Sequence, residues 1–148
     1  PTIFLRSPLG RTRETSDIIG QELGLSASDW REDIRLAELS YGSWEGFSWA
    51  EIEIDHPTAL ADWRADPHGY CPPGGETHFE LRRRCETMLA EIAASNTRTV
   101  VVSHGVSGAV MRGLHLGLDA RAMFVLEKPQ DAFFRLHDGH EHRIDCDL

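Results

Sequence analysis

Short apolar runs are spaced along this chain between amphipathic stretches. Residues 2–5 and 99–103 form compact apolar runs, which predict two short buried strands. Two further strands are predicted at residues 123–126 and 132–136, where apolar residues again lie close together. The chain is therefore expected to contain a sheet whose strands come from both ends of the sequence.

A hairpin turn is predicted at Asp138-Gly139, with residues 142–146 as its return strand. Histidines and carboxylates cluster around this turn, namely His137, Asp138, His140, Glu141 and His142. A metal site is one interpretation of the cluster, and a solvated turn is the favoured one.

Five segments have the features of helices. They are residues 8–23, 47–54, 57–65, 77–95 and 106–116. The first is expected to begin with Ser7 as N-cap and Pro8 at the first helical position, because both residues suit those places. Its predicted apolar face consists of Ile18, Ile19 and Leu23.

The helix at residues 77–95 has the clearest pattern. Its apolar residues recur at helical spacing: Leu81, Cys85, Met88, Leu89 and Ile92. Thr77 and Glu80 are spaced as a capping box at its start. The run Arg82-Arg83-Arg84 is expected to lie mostly on the solvated face.

Loops separate these elements. Residues 26–36 are predicted to be a loop with a short extended piece around Ile34. Residues 38–46 are expected to be irregular, and aromatic and charged residues between glycines are typical of loops that line sites. Residues 66–75 are a lid or a plain connector. The alternation of strands and helices predicts a single α/β domain.

Composition narrows the class of protein. The 148 residues are 41% hydrophobic and carry a formal net charge of -9. The negative charge argues against general nucleic-acid binding, and no apolar run approaches the ~18 residues of a membrane span. The three cysteines form no CxxC unit. A reducing, cytoplasmic location is therefore expected.

Three polar residues fall where chemistry is expected. His104 follows the strand at residues 99–103, and Arg11 lies in the first turn of the helix after the strand at residues 2–5. If the two strands are parallel neighbours, both side chains open onto one edge of the sheet. An anion site at the N-terminus of the next helix would lie there too. Glu38 is a nearby candidate proton donor and acceptor.

Four segments resemble the motifs of the histidine phosphatase superfamily, which includes the cofactor-dependent phosphoglycerate mutases. They are SPLGRTRET at residues 7–15, Glu38 with YGSWEG at residues 41–46, PPGGET at residues 72–77 and SHG at residues 103–105. The resemblance implies a three-layer α/β sandwich, phosphoglycerate mutase-like, with a mostly parallel sheet flanked by helices.

The resemblance also implies roles for particular residues. Arg11 would clamp the phosphoryl group, Glu38 would be the general acid and base, and His104 would stabilise the phosphoryl oxygens. Tyr41 and Gly105 are the candidate substrate-binding residues. No metal and no cofactor are expected, because arginine and histidine neutralise the charge.

The family's nucleophile is a histidine in an RHG triplet after the first strand, and residues 1–148 contain no such triplet. We interpret them as one histidine-phosphatase-like domain lacking that strand and triplet. The favoured explanation is a parent chain with an N-terminal segment before Pro1. The alternative is a shortened relative whose gap is filled by a partner chain or a swapped strand.

The resulting functional prediction is a phosphomonoester phosphatase that works through phosphohistidine on a small phosphorylated metabolite. A phosphoglycerate mutase-type phosphotransferase and an inactive phosphate-binding fragment are the alternatives. Self-association as a homodimer stays open. Arg6 is interpreted as a strand-end charge, with a phosphate contact as the alternative.

Overall fold

The computed structural model describes residues 1–146, which form two compact units. The first unit comprises Pro1–Glu38 together with the chain from Arg84 onwards, and the second comprises Leu39–Arg83. The strands are β1 (Thr2–Arg6), β2 (Trp30–Glu32), β3 (Arg98–Val102), β4 (Ala132–His137) and β5 (His140–Asp145). The helices are α1 (Gly10–Leu23), α2 (Trp49–Asp55), α3 (Pro57–Ala65), α4 (His78–Ser95), α5 (Gly105–His115) and α6 (Ala120–Phe124).

A parallel sheet of three strands organises the first unit. The strand order is β2-β1-β3, and Phe4 of β1 lies opposite Trp30 on one side and Val100 on the other. The predicted mixed α/β fold, with a parallel sheet flanked by helices, is confirmed. Within residues 1–146, β3 pairs only with β1, so its second edge carries no strand.

Helix α1 differs from its prediction at both its start and its buried face. It begins at Gly10 with Leu9 as N-cap, because Ser7 is fully buried at the end of the sheet. Ile18 and Leu23 are exposed, and the buried residues are instead the small ones, Thr12, Ser16 and Gly20. A Cβ on Gly20 would lie 3.4 Å from Trp30 Nε1, so small side chains allow the helix to approach β2 closely.

The strand predicted at residues 123–126 is wrong, since that region contains helix α6. Asp119 accepts a hydrogen bond from the Ala122 amide at 2.9 Å and so caps this helix. Met123 is fully buried, and a Cβ on Gly113 would clash with its Cβ at 2.2 Å. The short apolar run therefore packs as one helical turn against α5.

The loop predicted before Glu38 contains strand β2 and two 3₁₀ turns, at Ala27–Asp29 and Ile34–Leu36. Strand β2 occupies Trp30–Glu32, whereas Ile34–Leu36 forms a 3₁₀ turn capped by Asp33, so the extended piece predicted around Ile34 is wrong. The buried ring of Trp30, edge-on to Phe4 at 5.3 Å, explains why the strand lies earlier than expected.

The hairpin of β4 and β5 is confirmed. Asp138 and Gly139 form its turn with positive φ angles of 47° and 72°. Glu141 forms an ion pair with Arg112, whose guanidinium lies 3.4 Å from the Phe134 ring centroid. Among the described residues no group of three or more histidine, cysteine, aspartate or glutamate side chains is arranged to hold a metal ion.

Arg6 is a buried structural cation. Its guanidinium donates to Asp17 at 2.8 Å and Ser16 at 2.9 Å, and lies 3.2 Å from Glu32. These contacts agree with the interpretation of Arg6 as a strand-end charge that joins β1 to α1 and β2.

The second unit is built around aromatic side chains. Trp44, Ile52 and Leu60 form its buried cluster. The Trp44 ring stacks on Tyr70 with centroids 5.7 Å apart, and Trp49 stacks on Trp63 at 4.8 Å. The predicted helices α2 and α3 pack through this cluster. No helix within residues 1–146 is long and apolar enough to cross a membrane.

Two loops of the second unit interlock at Gly42. Gly42 has a φ of 54°, and a Cβ there would lie 2.2 Å from the Pro73 carbonyl oxygen and 2.4 Å from the Gly75 nitrogen. The Ser43 amide also donates to that Pro73 oxygen at 2.9 Å. The segments at residues 41–46 and 72–77 therefore touch through their main chains, with no room for a side chain between them.

We expect Gly42→Ala to lower the free energy of unfolding by about 3 kcal/mol, combining left-handed strain with a main-chain clash. Gly46→Ala is the matched control, since Gly46 has a φ of 87° with nothing within 4 Å of its added Cβ. It should lose only about 1 kcal/mol. Urea unfolding followed by tryptophan fluorescence measures both, and equal losses would contradict the interlock.

Candidate active site

Arg11 and His104 meet at the carboxyl edge of the parallel sheet. The pairing of β1 with β3 places the residues after both strands side by side, and the Ser7 amide donates to the Val102 carbonyl at 3.0 Å. Arg11 Nε then donates to His104 Nδ1 at 3.0 Å. The sheet thus brings together two residues that are 93 positions apart in sequence.

The His104 ring is held from both of its nitrogens. An arginine Nε–H can only donate, so Nδ1 is the acceptor and the neutral ring carries its proton on Nε2. Nε2 lies 2.8 Å from Ser7 Oγ. Burial lowers the pKa of His104, and the positive charges of Arg11 and Arg84 lower it further, whereas Glu38 acts in the opposite direction. Both the burial and the neighbouring cations therefore favour the neutral ring.

Glu38 is bound to the start of helix α5. Its Oε2 accepts from the Val106 amide and its Oε1 from the Ser107 amide, both at 3.0 Å. A carboxylate at this position is favoured by the helix dipole as well as by the two hydrogen bonds. The anion site predicted at this helix N-terminus is therefore occupied by the protein's own carboxylate.

Arg84 fixes the segment that carries Glu38. Its guanidinium donates to the carbonyl oxygens of Arg35 and Ala37 at 2.7 Å and of Glu38 at 3.0 Å. From the strand side, Ser103 Oγ donates to the Leu36 carbonyl at 2.9 Å. The prediction that this arginine run is mostly solvated fails for Arg84, because its side chain supplies donors to main-chain carbonyls.

Sequence reasoning therefore missed two residues of the site, Ser7 and Arg84. A usable signal existed for Arg84, since it lies three residues after Leu81 and four before Met88 and so borders the buried face of α4. Ser7 was interpreted as an N-cap. Its contact with His104 depends on the strand pairing, which local sequence does not specify.

The two candidate substrate-binding residues lie in different units. Gly105 opens helix α5 directly after His104 and is exposed, so its main chain is accessible to a ligand. Tyr41 belongs to the second unit, where its ring meets Trp49 edge-on at 5.8 Å. The structure brings Arg11, Glu38, His104 and Gly105 together within the first unit.

This arrangement suits the binding of a phosphoryl dianion. Arg11 supplies a planar cation that matches phosphate oxygens, and His104 supplies a ring nitrogen beside it. Glu38 is bound to the first turn of α5, the helix that follows His104, and can give or take a proton there. Fixed donors of this kind stabilise charge that develops in a transition state.

Comparison with known proteins defines the class to which this fold and site belong. Residues 1–143 match the family model of the histidine phosphatase superfamily (branch 1). The chain belongs to this superfamily.

Two curated relatives of this chain are named for different activities. A glucosyl-3-phosphoglycerate phosphatase of Mycobacterium tuberculosis (strain CDC 1551 / Oshkosh) is 32% identical over 115 residues, covering 71% of this chain and 50% of that protein. A probable phosphoglycerate mutase (GpmB) of Klebsiella pneumoniae (strain 342) is 33% identical over 132 residues, covering 82% of this chain and 56% of that protein. The chain thus spans about half the length of these relatives.

A solved structure confirms the fold. The alpha-ribazole phosphatase of Shigella flexneri superimposes with a TM-score of 0.83 at 18% identity, covering 97% of this chain and 72% of that one. The phosphoglycerate mutase-like fold predicted from the four motifs is therefore correct.

We expect Arg84→Met to loosen Glu38 and so speed amide hydrogen exchange at Val106 and Ser107 about tenfold, because hydrogen bonds from a charged donor are lost. NMR-detected exchange measures this directly. Arg83→Met removes an equal charge from an exposed neighbouring position and should leave both amides protected. Unchanged exchange in Arg84→Met would contradict the positioning role.

We expect the pKa of His104 to lie below its ordinary value, with the neutral ring protonated at Nε2, because the ring is buried beside Arg11. Arg11→Met should raise that pKa but not restore its ordinary value, since burial is the larger cause. Two-dimensional NMR of the ring nitrogens against pH gives both quantities. A proton on Nδ1, or no rise in Arg11→Met, would refute this account.

Proposed function

We propose that this protein is a phosphomonoester phosphatase that forms a phosphohistidine intermediate. The observation that carries the proposal is the 3.0 Å contact between Arg11 and His104. Glu38 is bound to the first amides of helix α5, which begins at the residue after His104. The membership in the histidine phosphatase superfamily supports it.

Arg11 and His104 are proposed to hold the transferring phosphoryl group. The guanidinium is always charged and binds two phosphate oxygens at once. The neutral His104 ring donates from Nε2 to Ser7 Oγ in the free protein, and rotation or protonation would direct a ring N–H to phosphate. A bound dianion favours the protonated ring, because an opposite charge nearby raises a histidine pKa.

Glu38 is proposed to handle the proton. The nucleophilic histidine forms a bond to phosphorus as the bond from phosphorus to the ester oxygen breaks, and Glu38, protonated at this stage of the cycle, gives that oxygen its proton so that an alcohol leaves. It then takes a proton from the water that attacks the phosphohistidine, which regenerates the histidine and releases phosphate. Two amide hydrogen bonds and the Arg84 contacts keep its carboxyl group directed during both steps.

The nucleophilic histidine is proposed to come from a chain segment that precedes Pro1. Two observations support this. The chain spans about half the length of its curated relatives, and the second edge of β3 carries no strand within residues 1–146. Pairing there would place the end of an added strand next to His104. Such a strand would complete one histidine-phosphatase domain.

A small phosphorylated metabolite is the proposed substrate class, with Tyr41 and Gly105 as further contacts. The name of the Mycobacterium tuberculosis relative supports this. We propose a cytoplasmic location and no role in nucleic-acid binding, in keeping with a net charge of -9. Trp49 is 45% exposed, which favours a homodimer contact at that surface.

Phosphotransfer as in a mutase is the second candidate, because one curated relative is a probable phosphoglycerate mutase. Residues 64–74 hold only Arg64 as a cation, whereas an arginine-rich insertion would read phosphoglycerate in a mutase. Incubation of the full-length protein with 2,3-bisphosphoglycerate distinguishes the two functions. A phosphatase releases inorganic phosphate, and a mutase instead retains the phosphoryl group and passes it to phosphoglycerate.

We expect the full-length protein to hydrolyse p-nitrophenyl phosphate in the presence of EDTA and to carry an acid-labile phosphoryl group during turnover. His104→Ala should lower kcat at least about 100-fold through loss of charge stabilisation. Glu38→Gln should lower it by a similar factor through loss of proton transfer. His140→Ala, in the exposed hairpin turn, is the matched control.

Each variant is assayed for released phosphate and for protein-bound label from a radioactive ester. Turnover of His104→Ala within twofold of the unmodified protein would rule out the proposed site. Complete dependence on an added divalent cation would rule out the proposed chemistry.

A further inference from the structure

Lys128, the single lysine of the chain, lies against the candidate site. We propose that it determines substrate specificity by binding a second anionic group carried by the alcohol part of the phosphate ester. This inference rests on the proposed function and deepens it. It defines the substrate class as phosphate monoesters with a carboxylate or similar anion close to the ester oxygen.

The contacts of Lys128 place its side chain beside Glu38. A Cβ built on Gly105 would lie 3.4 Å from Lys128 Cδ and 3.7 Å from its Cβ, and 3.8 Å from Glu38 Oε2. The aliphatic stem of the lysine and the carboxylate of Glu38 therefore flank the same exposed point of the main chain. A group that approaches Gly105 meets both.

The ammonium group is close to that point and retains a donor for a ligand. Nζ is two bonds of about 1.5 Å beyond Cδ, so it lies within about 6 Å of the position of the added Cβ. It donates to the carbonyl oxygens of Phe124 at 2.9 Å and Leu126 at 3.1 Å. An ammonium group has three donors, and within residues 1–146 these two carbonyls are its acceptors, so the third donor can bind an incoming anion.

The main chain that carries Lys128 is fixed to helix α5. Arg112 Nη1 donates to the Glu127 carbonyl at 2.7 Å, and Arg143 forms an ion pair with the Glu127 side chain at 2.9 Å. Buried Met123 packs where Gly113 leaves room for it. The stem of the lysine is therefore held beside Gly105 by a fixed segment, although the side chain itself is exposed.

The location of Lys128 decides which part of a substrate it meets. The phosphoryl group belongs at the Arg11–His104 pair, and the ester oxygen belongs at Glu38, which protonates it in the proposed mechanism. Because Lys128 flanks the Glu38 carboxylate at Gly105, it faces the leaving alcohol.

Charge favours an anionic substituent at this place. The chain has a net charge of -9, so a substrate with two anionic groups needs local cations to offset the general repulsion. Arg11 and the His104 ring serve the phosphoryl group. Lys128 supplies a separate point charge for the second anion, which distinguishes such an ester from one whose alcohol is neutral.

The test compares two phosphate esters that differ in one group. 3-Phosphoglycerate carries a carboxylate where glycerol 3-phosphate carries a hydroxymethyl group. We expect calorimetry to show that the protein binds 3-phosphoglycerate about tenfold more tightly, as one charged hydrogen bond would give. In Lys128→Met this preference should disappear, and in Lys128→Arg most of it should remain.

Arg98→Met is the matched control, because Arg98 is an exposed cation at the opposite end of β3 from His104. It removes the same charge and should keep the preference. Equal affinities for the two esters in the unmodified protein, or a preference that persists in Lys128→Met, would overturn the inference. Binding is measured independently of turnover, so the failure of this inference is distinguishable from the failure of the proposed hydrolysis.

Discussion

The parallel pairing of β1 with β3 is the interaction on which the rest of the site depends. It connects Arg6 with Val102 in register and joins the Ser7 amide to the last carbonyl of β3. Because both strands end at the same edge, Ser7 and Arg11 reach the two nitrogens of the His104 ring. A shift by one residue would turn the side chains to opposite faces. The register therefore determines whether Ser7, Arg11 and His104 meet at this edge of the sheet.

The polar groups around that edge form hydrogen bonds largely with other parts of the protein. Glu38 occupies the start of α5, and Arg84 and Ser103 hold the preceding carbonyls. Buried polar atoms are costly unless they are paired, and here each pairing also directs a candidate functional side chain. The same contacts therefore contribute to stability and to the preorganisation of the site.

Most of the sheet and the long helices could be predicted from sequence, because apolar spacing and capping residues act locally. Helix α4 begins within a residue of its predicted start, where Thr77 and Glu80 form the expected box. Arg11, Glu38 and His104 were predicted from the motifs, and the structure brings them together around the start of α5. Strand β2, helix α6 and the partners of Arg84 were not found, since their positions depend on contacts made after the chain has folded.

Occupation of the α5 N-terminus by Glu38 has a consequence for the end of the proposed reaction. Free helix amides would hold inorganic phosphate at any pH, because main-chain donors do not titrate. Here Glu38 already occupies two of these amides, so the product depends more on Arg11 and on the His104 ring, whose charge changes with pH. In the proposed cycle, loss of the His104 proton would therefore weaken the binding of phosphate and favour its release.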